Sequence, residues 1–302
     1  MKRTMAILLA VLMLVPVMGA RAESSPLLYR VTDGEGHRVY LLGTIHVGRE
    51  DFYPLSDAVE QAYAEAEILA VEADILAFSQ NLVKMTQMSL ALMYGPGDDA
   101  SNHMSPENYA LAVEKIDYPE ILLRRMRLAA WMSLTEEQTY DMAGLSADWG
   151  VDMHLLSRAH ADGKQIDELE GMEDQMDVLL ALPDSIVEMQ IMSSLENAVG
   201  AASAINTLAG AWQTGNEMLL NLLLQSEETA LDQLPEEIRA DYAAFMDTMY
   251  GDRNSGFEDQ VKNYLAEGKT VLFAVGAAHI VGEGALAQML AQDGYTVEEI
   301  GR

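Results

Sequence analysis

Val39-Tyr40-Leu41-Leu42-Gly43-Thr44-Ile45-His46 is an apolar run that ends in a histidine, with a glycine three residues before it. The device recurs near the other end of the chain, as Val271-Leu272-Phe273-Ala274-Val275-Gly276-Ala277-Ala278-His279. Runs of this length and composition predict buried strands, each delivering a histidine at or just past its end. That is where α/β folds place their clefts. Gly43 and Gly276 leave room for a neighbouring backbone or a ligand where a Cβ would stand in the way.

Closer to the first copy lies Ile68-Leu69-Ala70-Val71-Glu72-Ala73-Asp74, a short apolar run interrupted by a carboxylate. Burying an unpaired carboxylate costs several kcal/mol, so Glu72 is expected to face a cation, a hydrogen-bond donor or water. The chain has six histidines, and two of them occupy the same Gly-x-x-His context. His46, Glu72 and His279 on strands of one sheet would form a metal or acid–base site. A histidine after an apolar run also serves as a hydrogen-bonded strand cap, and that alternative stands beside the first.

Several short stretches, in this order, carry a family resemblance. They are Gly43-Thr44-Ile45-His46, Phe52-Tyr53-Pro54-Leu55, Val71-Glu72, Gly150-Val151-Asp152, Leu169-Glu170 with Gln175, Arg253-Asn254, and Val275-Gly276-Ala277-Ala278-His279 with Gly282. Together they resemble the TraB/GumN/PrgY family, whose animal relatives are the Tiki membrane proteases, over residues of about 40 to 300. The resemblance implies a metallohydrolase centre built from two Gly-x-x-His motifs and a glutamate. It also implies kinship in fold with erythromycin-esterase-like and ChaN-like proteins. On this reading His46, His279 and Glu72 are metal-site residues, and Glu72, Arg253 and Asn254 are catalytic. Asp152, Glu170 and Gln175 match the pattern, with solvation or helix capping as their alternative roles.

The first 22 residues read as a signal peptide. Lys2 and Arg3 form a basic start, Met5 to Val17 an apolar core too short to span as a mature helix, and Ala20-Arg21-Ala22 a cleavage site. The expected product is residues 23–302, exported to the periplasm or secreted, with no membrane span. The chain has no cysteine, which excludes disulfides, a thiol nucleophile and thiolate ligands. It carries 48 acidic and 18 basic residues, a formal charge of −30. Such acidity repels nucleic acid and anionic membrane surfaces.

The patterning predicts strands at 27–32 and 38–45 around a Gly-rich turn holding His37, then a helix opened by Pro54, then the Glu72 strand. Residues 78–160 read as mostly helical, broken at 95–99, with Ser105-Pro106-Glu107 as a helix start. His103 reads as a loop residue, and Arg124, Arg125 and Arg127 as a solvated basic face. A helix from Gly150 to His160 would point Asp152 and His154 to different faces. A strand at 164–169 follows, and 183–250 reads as helical with breaks near Gly200, Gly210 and Pro235. Arg253-Asn254 would open the helix before a strand ending at His279, a short helix at 285–291 and a last strand at 295–300. The methionines suit core or a homodimer interface.

The expected fold is α/β: one domain with a mixed central sheet built from both chain ends and covered by large helical segments. The expected function is a metal-dependent hydrolase acting on a peptide or small molecule. His46 and His279 would bind Zn²⁺, Mn²⁺ or Co²⁺, with Glu72 as third ligand or general base. Neither H-E-x-x-H nor G-x-S-x-G occurs. The alternatives are a non-catalytic binding protein that sequesters a peptide or signal molecule, and a haem- or iron-binding protein.

Overall fold

A computed structural model describes residues 24–223 and 236–301. The signal segment and Pro235 lie outside the described residues. Six strands form one sheet: β1 (Leu28–Thr32), β2 (Arg38–Thr44), β3 (Ile68–Val71), β4 (Gln165–Glu168), β5 (Val271–Gly276) and β6 (Thr296–Glu299), in spatial order β4-β3-β5-β2-β1-β6. Strands β4, β3, β5 and β2 run parallel, and β1 is antiparallel to both β2 and β6. The sheet is therefore mixed and drawn from both ends of the chain, as the sequence predicts.

Residue type explains the strand order. Val39 to Thr44 and Val271 to Val275 are buried at every position, which suits central strands covered on both faces. The outermost strands, Gln-Ile-Asp-Glu and Thr-Val-Glu-Glu, place acidic residues on the sheet edges, where charge discourages further pairing. Fully burying a side chain such as Leu41 or Phe273 contributes roughly 1.5–3 kcal/mol. The helix Asp57–Glu65 lays Val59, Ala62 and Tyr63 against this core, followed by Ala66. It starts at Ser56, not at Pro54, which instead follows Tyr53 through a cis peptide bond.

The long helical excursions between β3 and β5 build a second core around Leu123, Trp131, Ile186 and Ile191. Helix Leu128–Ala143 is the wall shared by the two cores: Leu128, Trp131 and Met132 face the second, while Tyr140 and Ala143 pack on the first. Ser105 accepts from the Asn108 amide and Pro106 takes the first helical position, as their order predicts. Gly200 and Gly210, expected as breaks, lie inside helix Ala198–Gln213; the breaks fall at Asn197 and after Gln213. Arg253-Asn254 does not open a free helix, because Glu236–Met246, the π-turn Asp247–Asp252 and helix Arg253–Ala266 follow without interruption. Methionines fall in both environments, Met104, Met132 and Met192 buried and Met85, Met93, Met142 and Met218 exposed. No single helix among the described residues is long and apolar enough to cross a membrane.

Candidate active site

The carboxyl ends of the four parallel strands line one crevice, and each contributes a polar group. Glu170 follows β4, Glu72 follows β3, Gly276 and His279 follow β5, and His46 follows β2. The groups are thus set out across the crevice in the order of their strands, which is how residues far apart in sequence become neighbours. Register brings the two Gly-x-x-His stretches together: Gly43 pairs with Val275 and Thr44 with Gly276. A Cβ on Gly43 would stand 3.1 Å from the Ala277 Cα, so its lack of a side chain admits the turn that carries His279.

His46 Nδ1 lies 2.9 Å from Asp152 Oδ2, and Thr44 Oγ1 donates to Asp152 Oδ1 at 2.7 Å. Asp152 reaches the ring because residues 146–151 run along residues 45–48. Gly48 and Ser146 exchange backbone hydrogen bonds, and the Val151 amide donates to the Ile45 carbonyl at 2.9 Å. The approach is too close for side chains: a Cβ on Gly150 would sit 2.3 Å from the His46 carbonyl oxygen. Gly150-Val151-Asp152 therefore works as a unit, in which glycine allows contact, valine docks the backbone and aspartate holds the imidazole. The His46 side chain keeps 67% of its surface open while Asp152 keeps 12%. The ring is therefore open to solvent while the carboxylate that holds it is not. The Asp152 carboxylate pushes its pKa up to about 9, against the effect of burial. Burial tends to raise Asp152, but His46 and Thr44 hold it below the usual carboxylate range.

His279 is buried in a short helical turn, Ala277–Ile280, beyond β5. Its Nδ1 lies 2.7 Å from Asn254 Oδ1, and the Asn254 amide donates to the Gly284 carbonyl at 3.0 Å, which fixes the orientation of the amide group. Nδ1 therefore carries the proton and Nε2 keeps its lone pair. Rings of Phe257 and Tyr250 flank the imidazole at 5.2 and 5.3 Å. Burial pushes its pKa down to about 4, despite the pull of Glu72.

Glu72 follows the strand next to the one that carries His279 and is fully engaged. Its Oε1 accepts from the Gly276 amide at 2.7 Å, and its Oε2 from Arg253 Nη2 at 2.7 Å and Gln175 Nε2 at 3.0 Å. Burial works to raise this carboxyl, but the combined pull of His46, His279, Arg253 and the Gly276 amide wins and holds it below the usual range. Arg253 also donates through Nε and Nη2 to Glu170, at 2.7 and 2.8 Å. The structure thus arranges these residues in three hydrogen-bonded groups, His46 with Asp152, His279 with Asn254, and Glu72 with Arg253, Glu170 and Gln175, and the two histidines and Glu72 feel one another's charge. His154 points elsewhere, stacked on Tyr53 at 4.1 Å. Glu136 was not singled out by the sequence, yet it feels His46 across the crevice, and burial raises its pKa. It stands in a polar Thr-Glu-Glu-Gln stretch that gives no sign of a cleft-facing residue.

The donor chemistry suits a divalent cation. Each imidazole has its Nδ1 held by an oxygen acceptor, the arrangement that directs Nε2 to a metal. As the side chains stand, no three His, Asp or Glu residues among those described are gathered closely enough to enclose an ion.

The chain is 27% identical over 258 residues to the uncharacterized protein YbaP of Escherichia coli (strain K12), covering 83% of this chain and 87% of that protein. The YbaP of Shigella flexneri matches to the same extent. No solved structure matches. The sequence model of the TraB/PrgY/gumN family matches residues 27–299, and the chain belongs to that family.

Proposed function

We propose that the protein is an exported metal-dependent hydrolase that cleaves peptides in the crevice at the carboxyl ends of β2, β3 and β5. The observation that carries this reading is the pair of oriented histidines, one from each Gly-x-x-His stretch, at the ends of adjacent strands beside an ionised glutamate. His46 and His279 would hold a Zn²⁺, Mn²⁺ or Co²⁺ ion, which supplies polarisation of a scissile carbonyl and activation of water. Asp152 and Asn254 fix the two rings so that each presents Nε2 to the crevice. Glu72, with three donors already on its oxygens, keeps negative charge beside the histidines and is better suited to anchoring a cation than to taking a proton. The Nη1 of Arg253 makes only a long 3.4 Å contact with the Met249 carbonyl, leaving it available to a developing oxyanion or a substrate carboxylate. Export rests on Lys2, Arg3, the apolar core and Ala20-Arg21-Ala22.

Metal content and cleavage of a peptide library, measured on the mature wild type and on His46→Ala and His279→Ala, test the proposal. The expected result is stoichiometric metal and cleavage in the wild type and loss of both in each variant. Undiminished metal and activity in the two variants would remove the shared site.

A further inference from the structure

Helix Leu128–Ala143 carries one inward stripe along its second half. Met132 is buried and Glu136, Tyr140 and Ala143 are half-buried, while Ser133, Glu137, Asp141 and Met142 are exposed. Spacings of three and four residues set the stripe on one side of the helix. Met132 packs in the second core and Tyr140 and Ala143 on the first, so Glu136 falls where the helix passes from one to the other. The helix end is tied to the loop after His46: Asn206 donates to the Ala143 carbonyl at 3.0 Å and accepts from Arg49 at 2.9 Å, and Gly48 and Ser146 exchange backbone hydrogen bonds. That tie sets the stripe beside the end of β2, and Glu136 feels the charge of His46.

The other carboxylates around the two histidines are committed. Asp152 is taken by His46 and Thr44, Glu72 by Gly276, Arg253 and Gln175, and Glu170 by Arg253. Glu136 has no hydrogen bond or ion pair among the described residues; the titratable groups that face it are His46 and, one turn along the helix, Tyr140. Burial raises its pKa against the pull of His46, toward the range a proton carrier needs near neutral pH. Glu72 and Asp152 are shifted the opposite way.

We propose that Glu136 is the general base and acid of the reaction, taking a proton from the attacking water beside His46 and returning it to the leaving amine. The inference rests on the hydrolytic reading above. In the first step a water proton passes to a Glu136 carboxylate oxygen as the water oxygen bonds to the scissile carbonyl carbon. In the second the C–N bond breaks, its electron pair goes to nitrogen, and Glu136 gives that nitrogen the proton. A carboxylic acid and an amine leave, and the Glu136 carboxylate is restored.

The test compares the Zn²⁺-loaded wild type with Glu136→Gln, Glu136→Asp and, as a control on the exposed neighbour, Glu137→Gln. Glu136→Gln should lower kcat for peptide cleavage about 100-fold or more, with metal content and KM unchanged. Glu136→Asp should keep more of kcat than Glu136→Gln, and Glu137→Gln should keep all of it. In the metal-free chain, NMR of the ring protons should show a lower His46 pKa in Glu136→Gln than in the wild type, because a nearby carboxylate favours the imidazolium. Undiminished kcat in Glu136→Gln, or an unmoved His46 titration, would overturn the proposal. Metal lost together with cleavage would make Glu136 a ligand, and a raised KM for basic peptides with kcat kept would make it a substrate anchor; either result also overturns it. A wild type that cleaves no peptide defeats the hydrolytic reading and this inference with it, whereas an active wild type beside an equally active Glu136→Gln defeats this inference alone. If Glu136→Gln does not fold, the change of kcat in Glu136→Asp decides.

Discussion

Arg253 binds two carboxylates at once, its Nη2 donating to Glu72 at 2.7 Å and its Nε and Nη2 to Glu170 at 2.7 and 2.8 Å. The side chains of Arg253 and Glu72 are 12% and 9% exposed, so this ion pair is buried. Removing one member leaves the other charged and desolvated, which costs about 3 kcal/mol or more. Arg253→Met should therefore lower unfolding free energy in urea by about that amount. Adding Glu72→Gln to it should restore part of the loss, because the double variant buries no unpaired carboxylate at that position. Equal stability of Arg253→Met and the wild type would show that the pair is not buried in solution.

The two glycines on either side of the His46–Asp152 contact should tolerate nothing larger. A Cβ would meet the Trp149 carbonyl oxygen at 2.2 Å from Gly48 and the His46 carbonyl oxygen at 2.3 Å from Gly150. Both neighbours are backbone, so the two segments must separate. Gly48→Ala and Gly150→Ala should each cost about 1–3 kcal/mol. Gly276→Ala, whose Cβ would meet Glu72 Oε1 at 3.4 Å and His279 Cδ2 at 3.7 Å, should cost clearly less. Thermal melts of the three variants give the order.

Asp152→Asn keeps an acceptor for His46 Nδ1 but removes the charge. In the metal-free protein the His46 pKa should fall from about 9 toward the ordinary histidine value of about 6.5, followed by NMR of the ring protons. If His46 is a metal ligand, affinity should drop about 10–100-fold as well. An unchanged titration would show that Asp152 does not govern the ring.

His103 should make stability depend on pH. Burial lowers its pKa, but its hydrogen bonds to the Asp98 and Asp184 carboxylates, with their charge, outweigh this and the net shift is upward. The folded chain then holds a proton that the unfolded chain releases near about pH 6.5. The stabilisation is fully present below that pH and is lost as pH rises through the folded value. The melting-temperature difference between wild type and His103→Gln should accordingly be largest at mildly acidic pH and shrink toward alkaline pH. A difference that grows with pH would contradict the sign.

Much of this architecture is legible in residue order. The unbroken apolar runs at 39–45 and 271–275 are central strands because nothing in them could face water. Glu72, His46 and His279 stand out because each follows an apolar run that gives it no local partner. Local chemistry also fixes the Asp33–His37 turn and the Ser105-Pro106 helix start, since their bonds lie within a few residues.

Tertiary structure decided what those residues meet. Asp152 is 106 positions from His46, Arg253 is 181 from Glu72, and the Gly276 amide is 204 from Glu72. No short-range pattern records such pairings; they follow from strand order, which sets β4, β3, β5 and β2 side by side. The helix breaks were misplaced for a similar reason: Gly200 and Gly210 carry only a modest intrinsic penalty in a helix, and packing of Ala202, Ala209 and Trp212 outweighs it. Arg127 differs from Arg124 and Arg125 in nothing the sequence shows. Only the fold gives Arg124 the Asp99 carboxylate and Arg125 the Asp98 and Tyr94 carbonyls, while Arg127 meets the Tyr94 ring.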